Sequence, residues 1–554
     1  MPIRQLLPYL TILIIFLVQS GICEITRYPH VLPTADMEHS VMITWRTQNQ
    51  AGGTVYFGTS YLAQSADAVL CTKRKNEQSL RPKIETRNGQ YQYYAVLANL
   101  SPGTQYRYKV VSDNTETEIC KFTTSSTDND FSFRVVLLAD PHWHSDTVSD
   151  QTQDGQYLPL IRAYDPHLVF ILGDIAYGQN EVLANEWEYE AGHWVWKDIL
   201  ANAIYVPTCG NHDRQLNEPS GSGYDYSLFT DQYVLPENGP NGRPPNYWEP
   251  DTVTKYPWIK EAMYTFSYGG VFFPSYGAGY LSPDDGNTGG AAENYWGWLD
   301  TTLASAAASG IIRNIVPHGH IRTYGRTRNT PPKIQYLDSF DKSKVALALC
   351  GHYHHFHRTY PLIHIPGSSA AGTVTTPEKV HYANHSGTIY MMISSFMFLF
   401  SADTGSHIAY STSQKGFSTI DVSNGGRKMV VKSIIAGGTV IDSFVIERDI
   451  SAAVNLKNNR GAIPWRGFSR AYPNPFRGVV TIHIPSSFKT DSYRIRIFNS
   501  AGKLIRSISV NSLMKSVVWD GKDICGVETP DGIYFYEVFG KGVLLSRGMA
   551  FKIK

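Results

Sequence analysis

Hard oxygen and imidazole donors recur in five short stretches of this chain: Asp140-Pro-His142, Gly173-Asp174-Ile-Ala-Tyr177, Gly210-Asn211-His212-Asp213, His318 within IVPHGH, and Gly351-His352-Tyr-His354. Each stretch directly follows an apolar run, so its donors can converge with the others at the carboxyl ends of buried strands. That pattern predicts a site for two metal ions. A carboxylate between two cations lets them sit about 3.5–4 Å apart, which suits attack on phosphate esters: one ion lowers the pKa of a bound water while both neutralise developing charge. The set needs no thiolate and favours iron, manganese or zinc over soft metals.

The elements that must position these donors are RVVLLAD (134–140), HLVFILGD (167–174), AIYVPTCGNHD (203–213), IIRNIVPH (311–318) and KVALALCGH (344–352). Their apolarity is continuous rather than alternating, as in strands covered on both faces. With helix-compatible segments such as ENYWGWLDTTLASAAAS (293–309) between them, residues 130–450 predict an α/β domain, closed by the strands GFSTIDV and GTVIDSFVI. Asp174 follows a glycine that allows a sharp turn, and a lone buried carboxylate there would be costly without cations.

The order DxH, GDxxY, GNHD, a single His, then GHxH resembles the calcineurin-like metallophosphoesterases. The tyrosine of GDIAY, together with GHYHHFHRTYP, is similar to the purple acid phosphatase branch. The resemblance covers roughly residues 25–447. It implies a first metal held by Asp140, Asp174, Tyr177 and His354, and a second held by Asp174 as bridge, Asn211, His318 and His352. His320 is a substitute for His318, because relatives follow this histidine with a proline and here the order is Pro317-His318-Gly319-His320; His318 is preferred as the residue directly at the strand end. Tyr177 and His142 compete for the first metal, since purple acid phosphatases use the tyrosine and the wider family uses the histidine. Tyr177 is preferred, which implies iron with zinc or manganese; His142 would imply a divalent pair.

The resemblance further gives His212 the task of stabilising the transferring phosphoryl oxygens or protonating the leaving group, with Asp213 orienting it. Arg322, Arg326 and Arg328 stand where relatives keep substrate-facing histidines and can clamp phosphate. His355 and His357 are expected to orient the GHYH turn, and His144, His167 and His193 to be surface or core residues. VFFPSYGAGY (271–280) and IYMMISSFMFLFSAD (389–403) depart from the family without removing a ligand. An aromatic stretch, NYWEPDTVTKYPWIKEAMY (246–264), is a possible stacking platform.

A 554-residue chain with 42% hydrophobic and 18% charged residues can form several domains, and a net charge of +1 gives no electrostatic reason for nucleic acid or an anionic membrane as partner. Residues 1–23 have Arg4, a short apolar run and small residues before a cleavage point, the pattern of a signal peptide, leaving no integral membrane segment after cleavage. Residues 24–125 read as an all-β domain, from VMITWRT, TVYFG, YQYYAVLANL and QYRYKVV, and LSPGTQYRYKV resembles the late turn and strand of fibronectin type III-like β-sandwiches, which implies that fold. Cys71 and Cys120 are a candidate pair within it, while Cys209 and Cys350 read as small buried residues beside the site.

After a linker, residues 465–554 resemble the C-terminal sorting domains of bacterial type IX secretion and related immunoglobulin-like sandwiches, on AYPNPF, YRIRIFNSAGKLIRSI, VVWDGKD and GIYFYEV. The expectation is an exported bacterial enzyme, secreted or at the cell surface. It would use secretion machinery as partner and hydrolyse small phosphomonoesters by in-line attack of a metal-bound hydroxide. A phosphodiesterase or nucleotidase of the same fold and an inactive surface-binding module are the alternatives.

Overall fold

The computed structural model describes residues 25–50, 52–70, 90–112, 115–143, 148–176, 194–213, 215–216, 224–225, 227–240, 259–277, 291–324, 334–365, 372–395, 399–448, 471–484, 492–499, 504–511, 514, 516–524, 526–540 and 543–553. The chain divides into two compact units, Met1–Asn455 and Leu456–Lys554.

In the first unit the apolar runs form adjacent parallel strands. Phe133–Leu138 pairs with Leu168–Leu172, which pairs with Ile204–Thr208, in the register Val135 to Leu168 to Ile204. Every residue of Leu168–Leu172 and Ile204–Thr208 is buried, because the sheet is covered on both faces. Antiparallel strands Gly416–Ser423, Lys428–Ile435 and Val440–Glu447 extend this sheet beyond Phe133–Leu138. A second mixed sheet carries Tyr264–Tyr268, Val271–Ser275, Asn314–Ile315, Leu347–Cys350, Ile389–Met392, Phe356–Thr359 and Ile408–Thr412. Its two halves meet at His318, which bridges Ser275 on one side and Leu349 on the other. Helices Val148–Tyr164, Ala291–Ala308 and Ile334–Lys342 lie between strands in the chain, as an α/β alternation requires.

The N-terminal strands are not a free-standing sandwich. Ile25–Leu32 pairs in parallel with Ile204–Thr208, so the sheet of Ile25–Leu32, Val41–Thr47 and Tyr91–Leu97 continues the sheet of parallel strands. A second sheet, containing Thr54–Gly58, Gln105–Ser112 and Cys120–Thr123, packs behind it. One apolar core runs through both parts, from Val31, Trp45 and Tyr108 to Leu137 and Leu172. Reading the strands one by one cannot show this continuity, because the shared edge depends on pairing between residues more than 170 positions apart in the chain.

In the second unit, Ala471–Tyr472, Val480–His483 and Ser516–Trp519 make one sheet, and Ser492–Asn499, Leu504–Asn511, Gly532–Gly540 and Val543–Lys552 another. They enclose a core of its own, including Phe476, Ile482, Ile495, Trp519, Tyr534 and Val538. Among the described residues no helix is long and apolar enough to cross a membrane. The N-terminal apolar run, Cys71 and most of residues 246–264 lie outside the described residues.

Candidate metal centre

Each donor loop leaves a buried strand and turns at once. Asp140, His142, Asp174, His352 and His354 all adopt positive φ, between 47° and 76°. Backbone of this kind costs of order 1–3 kcal/mol per residue and persists only where the surroundings enforce it. Here neighbouring loops do so. Asp140 N–H donates to Gly173 O at 3.1 Å, His142 N–H to Asp174 O at 3.0 Å, and Gly351 N–H to His320 O at 2.9 Å. His352 N–H donates to both oxygens of Asp140, at 2.9 and 2.8 Å. Close approach also explains two of the glycines. A Cβ on Gly173 would meet the His320 ring, and one on Gly210 would meet Asp174.

Two donor groups result. Asp140, His142, Asp174 and His354 offer ligand atoms all within 4.8 Å of one another, and Asp174, His320 and His352 form a second group by the same measure. Asp174 belongs to both. Its Oδ1 is fixed by the His212 N–H at 2.7 Å, while Oδ2 lies 3.8 Å from His142 Nε2 and 3.1 Å from His320 Nε2. Asn211 joins the second group, its Oδ1 2.9 Å from His320 Nε2, and His352 Nδ1 is 3.2 Å from the same nitrogen.

The donor set fits cations. His320 Nδ1 donates to the Leu172 carbonyl at 2.8 Å, so in the neutral ring Nε2 carries a lone pair. That lone pair, on a fully buried ring, faces three more donors, on buried Asp174 and on partly buried Asn211 and His352, and opposed lone pairs away from bulk water are costly unless a positive charge sits among them. Without a metal a proton takes that part. Burial alone would lower the His320 pKa, but Asp174 and Asp140 raise it to about 9. Burial alone would raise Asp174, yet the imidazoles of His320, His142 and His212 hold it well below the usual carboxylate range. His142 and His352 are pushed down by burial, to about 4 and about 3, and so are neutral and able to ligate.

The structure corrects several expectations. His318 is not in either group: its Nδ1 is 2.8 Å from Thr208 Oγ1, and its ring stands edge-on to Phe170 at 5.0 Å. The ladder continues to His318 through Ser275 and Leu349, so this residue still belongs to the sheet and points into the core; the chain leaves the strand end two residues later, at His320. His142, the less preferred of the two candidates for the first metal, is in the first group, 2% exposed with Nε2 3.3 Å from His354 Nε2. Tyr177 lies outside the described residues. Asp213 does not orient His212. Its carboxylate accepts the Ile175, Ala176 and Gly210 N–H groups at 2.8, 3.0 and 2.7 Å, clamping the GD and GNHD loops together. Burial, with Asp174 adding to it, pushes the Asp213 carboxyl up to about 8.

His212 sits at the opening of the centre, 15% exposed, with Nε2 3.9 Å from Asp174 Oδ2 and its ring edge-on to His142. Arg322 is buried rather than held out to clamp phosphate: it donates to Asp403 Oδ2 at 2.5 Å and lies over the Tyr353 ring at 4.3 Å. Arg326 and Arg328 lie outside the described residues. Reading the sequence missed Asp403 and Ser395, whose hydroxyl donates to Asp140 O at 2.7 Å. Both come from IYMMISSFMFLFSAD, and the departure of that segment from the family pattern was the available signal. Cys209 and Cys350 are buried beside the donor loops, as expected, and Cys120 is buried in the N-terminal part.

Comparison with known proteins follows the same division. Residues 27–124 match the family described as the N-terminal domain of purple acid phosphatase, 133–356 match calcineurin-like phosphoesterase, and 470–544 match the secretion system C-terminal sorting domain. Two relatives from Mycobacterium tuberculosis, uncharacterized protein Rv2577 of strain ATCC 25618 / H37Rv and uncharacterized protein MT2654 of strain CDC 1551 / Oshkosh, are each 24% identical over 381 residues. The match covers 64% of this chain and 66% of each relative, just under two thirds of their length. Among solved structures, purple acid phosphatase PPD1 isolated from yellow lupin (Lupinus luteus) seeds superposes with a TM-score of 0.58 at 16% identity, covering 77% of this chain and 75% of that one. At that identity the likeness is one of fold.

Proposed function

We propose, from the match of residues 133–356 to the calcineurin-like phosphoesterases, with a purple acid phosphatase N-terminal domain before them and a secretion sorting domain after, that this chain is an exported two-metal phosphatase acting on small phosphomonoesters. The observation that carries this reading is Asp174, one carboxylate shared by two buried donor groups. The first group would be Asp140, His142, Asp174 and His354; the second, Asp174, Asn211, His320 and His352. Two cations there would lower the pKa of water and offset charge on the phosphoryl group.

The residues of the chain divide the remaining work. Asp140 and Asp174 supply negative charge from strand ends held by backbone N–H groups, so the donors are set before substrate arrives. His212, partly open and next to the shared carboxylate, is placed to steady a phosphoryl oxygen or to give a proton to the leaving alkoxide. With neutral His142 in the first group, a divalent pair such as manganese or zinc suits the site.

The first domain is read as fibronectin type III-like and the last as an immunoglobulin-like sandwich that directs the protein to the type IX pathway, the N-terminal apolar run acting as its export signal. The test is turnover of mono- and diesters by purified protein loaded separately with manganese, zinc and iron. Monoester hydrolysis that needs two metal ions per active centre is expected. Equal or faster diester cleavage would move the assignment to a phosphodiesterase, and no turnover with any metal would overturn it.

A further inference from the structure

Beside the two donor groups stands a third, made of His355, His357 and Asp403, whose ligand atoms also lie within 4.8 Å of one another. None of its residues belongs to the other two. His355 and His357 are each 2% exposed, and His355 Nε2 and His357 Nδ1 are buried atoms without a hydrogen-bond partner. Both nitrogens face one oxygen: Asp403 Oδ2 is 3.6 Å from His355 Nε2 and 3.4 Å from His357 Nδ1. These separations are too long for good hydrogen bonds. They are close to the spacing of about 3.4 Å that bonds of about 2.0–2.2 Å impose between two ligand atoms on a tetrahedral zinc ion.

The outer nitrogens strengthen the argument. His355 Nδ1 lies 2.7 Å from the Tyr353 carbonyl oxygen, which can only accept, so this nitrogen carries a proton and in the neutral ring Nε2 bears the lone pair. His357 Nε2 is hydrogen-bonded to the Tyr324 hydroxyl, which can accept its proton and leave Nδ1 free to ligate. An imidazole bound through one nitrogen and tied through the other to an oxygen is the usual arrangement around a metal-ligating histidine. Arg322 holds the carboxylate in place at 2.5 Å, and a carboxylate oxygen has two lone pairs, so Oδ2 can serve the guanidinium and a cation together.

We propose that His355 Nε2, His357 Nδ1 and Asp403 Oδ2 form a third metal site, for a single zinc-like divalent ion completed by water. It would pin the turn bearing His352 and His354 to the 399–403 segment, and so hold the active-site imidazoles from behind. The site is independent of the two-metal reading, since it shares no ligand with it.

Elemental analysis of the purified full chain, after equilibration with zinc and removal of loosely bound ion, tests this. Three zinc ions per wild-type chain are expected, two in His355→Gln and in His357→Gln, and at least one in Asp174→Ala that is lost when His357→Gln is added. Tyr324→Phe, which removes only the outer partner, should weaken retention of that ion about 10–100-fold. Two ions per wild-type chain with the same number in folded His357→Gln would overturn the proposal. The wild-type count needs no variant, so a misfolded variant does not protect it. A wild-type chain holding one ion that survives Asp174→Ala but not His357→Gln would uphold this site while removing the two-metal one.

Discussion

His318 and His320 are two residues apart, and their substitution should give opposite results. His320→Ala removes the imidazole that faces Asp174, Asn211 and His352, so it should cost one metal ion per chain and lower phosphomonoesterase kcat by at least about 100-fold, the upper end of what losing a mere supporting contact costs a metal site. His318→Ala instead empties a fully buried space beside Phe170 and leaves the Thr208 hydroxyl without its 2.8 Å partner. A cavity of that kind together with a lost buried hydrogen bond should cost about 2–4 kcal/mol of stability. Metal content should stay at the wild-type value. The assays are metal stoichiometry, turnover of p-nitrophenyl phosphate and urea unfolding, run on both variants. Loss of a metal ion from His318→Ala with full retention in His320→Ala would refute the placement of the second group.

His142→Ala should release metal from the first group and reduce activity far more than Tyr177→Phe does, and the active enzyme should be colourless; a visible band bleached by Tyr177→Phe would show that iron and the phenolate hold the first metal instead. Asp213→Asn replaces an oxygen that accepts backbone N–H groups with an NH2 that cannot, so it should destabilise by about 1–3 kcal/mol and lower activity through the displaced loops, measured by unfolding and kcat. Deleting residues 465–554 should leave kcat/KM of the purified enzyme unchanged while retaining the protein in the cell envelope, because the second unit has its own core; loss of activity would make it part of the catalytic unit. Stability should fall with acid below pH 6.5. Burial, then Arg27 and Arg46, holds the His30 pKa well below its ordinary value, and burial, then Arg448, holds His385 down to about 3. The unfolded chain therefore binds more protons as the pH drops through 6.5, and each residue removes up to about 1.4 kcal/mol per pH unit. His385→Phe should flatten the slope between pH 6 and 4.5, and an unchanged slope would refute the account.

Much of the centre was legible in the chain itself. Leu168–Leu172 and Ile204–Thr208 could be read as strands because continuous apolarity of that length has few other uses, and a donor one or two residues beyond such a run has little freedom in where it ends up. Asp140, Asp174, Asn211, His352 and His354 are positioned this way, each close behind a strand that the sequence marks. The failures share a cause too. Whether His318 or His320 joins the second donor group depends on how far a ladder extends, and that was decided by pairing with Ser275 and Leu349, distant residues that no local pattern names. Asp213 stands next to His212 in sequence, yet three backbone N–H groups from two loops took its carboxylate. Asp403 lies about fifty residues beyond His355 and His357 and meets them only because Ile389–Met392 and Phe356–Thr359 pair side by side. Strand identity and donor chemistry are local properties, written in period and residue type. Which donors meet, and which stay in the core, is set by long-range register, and only the folded chain contains it.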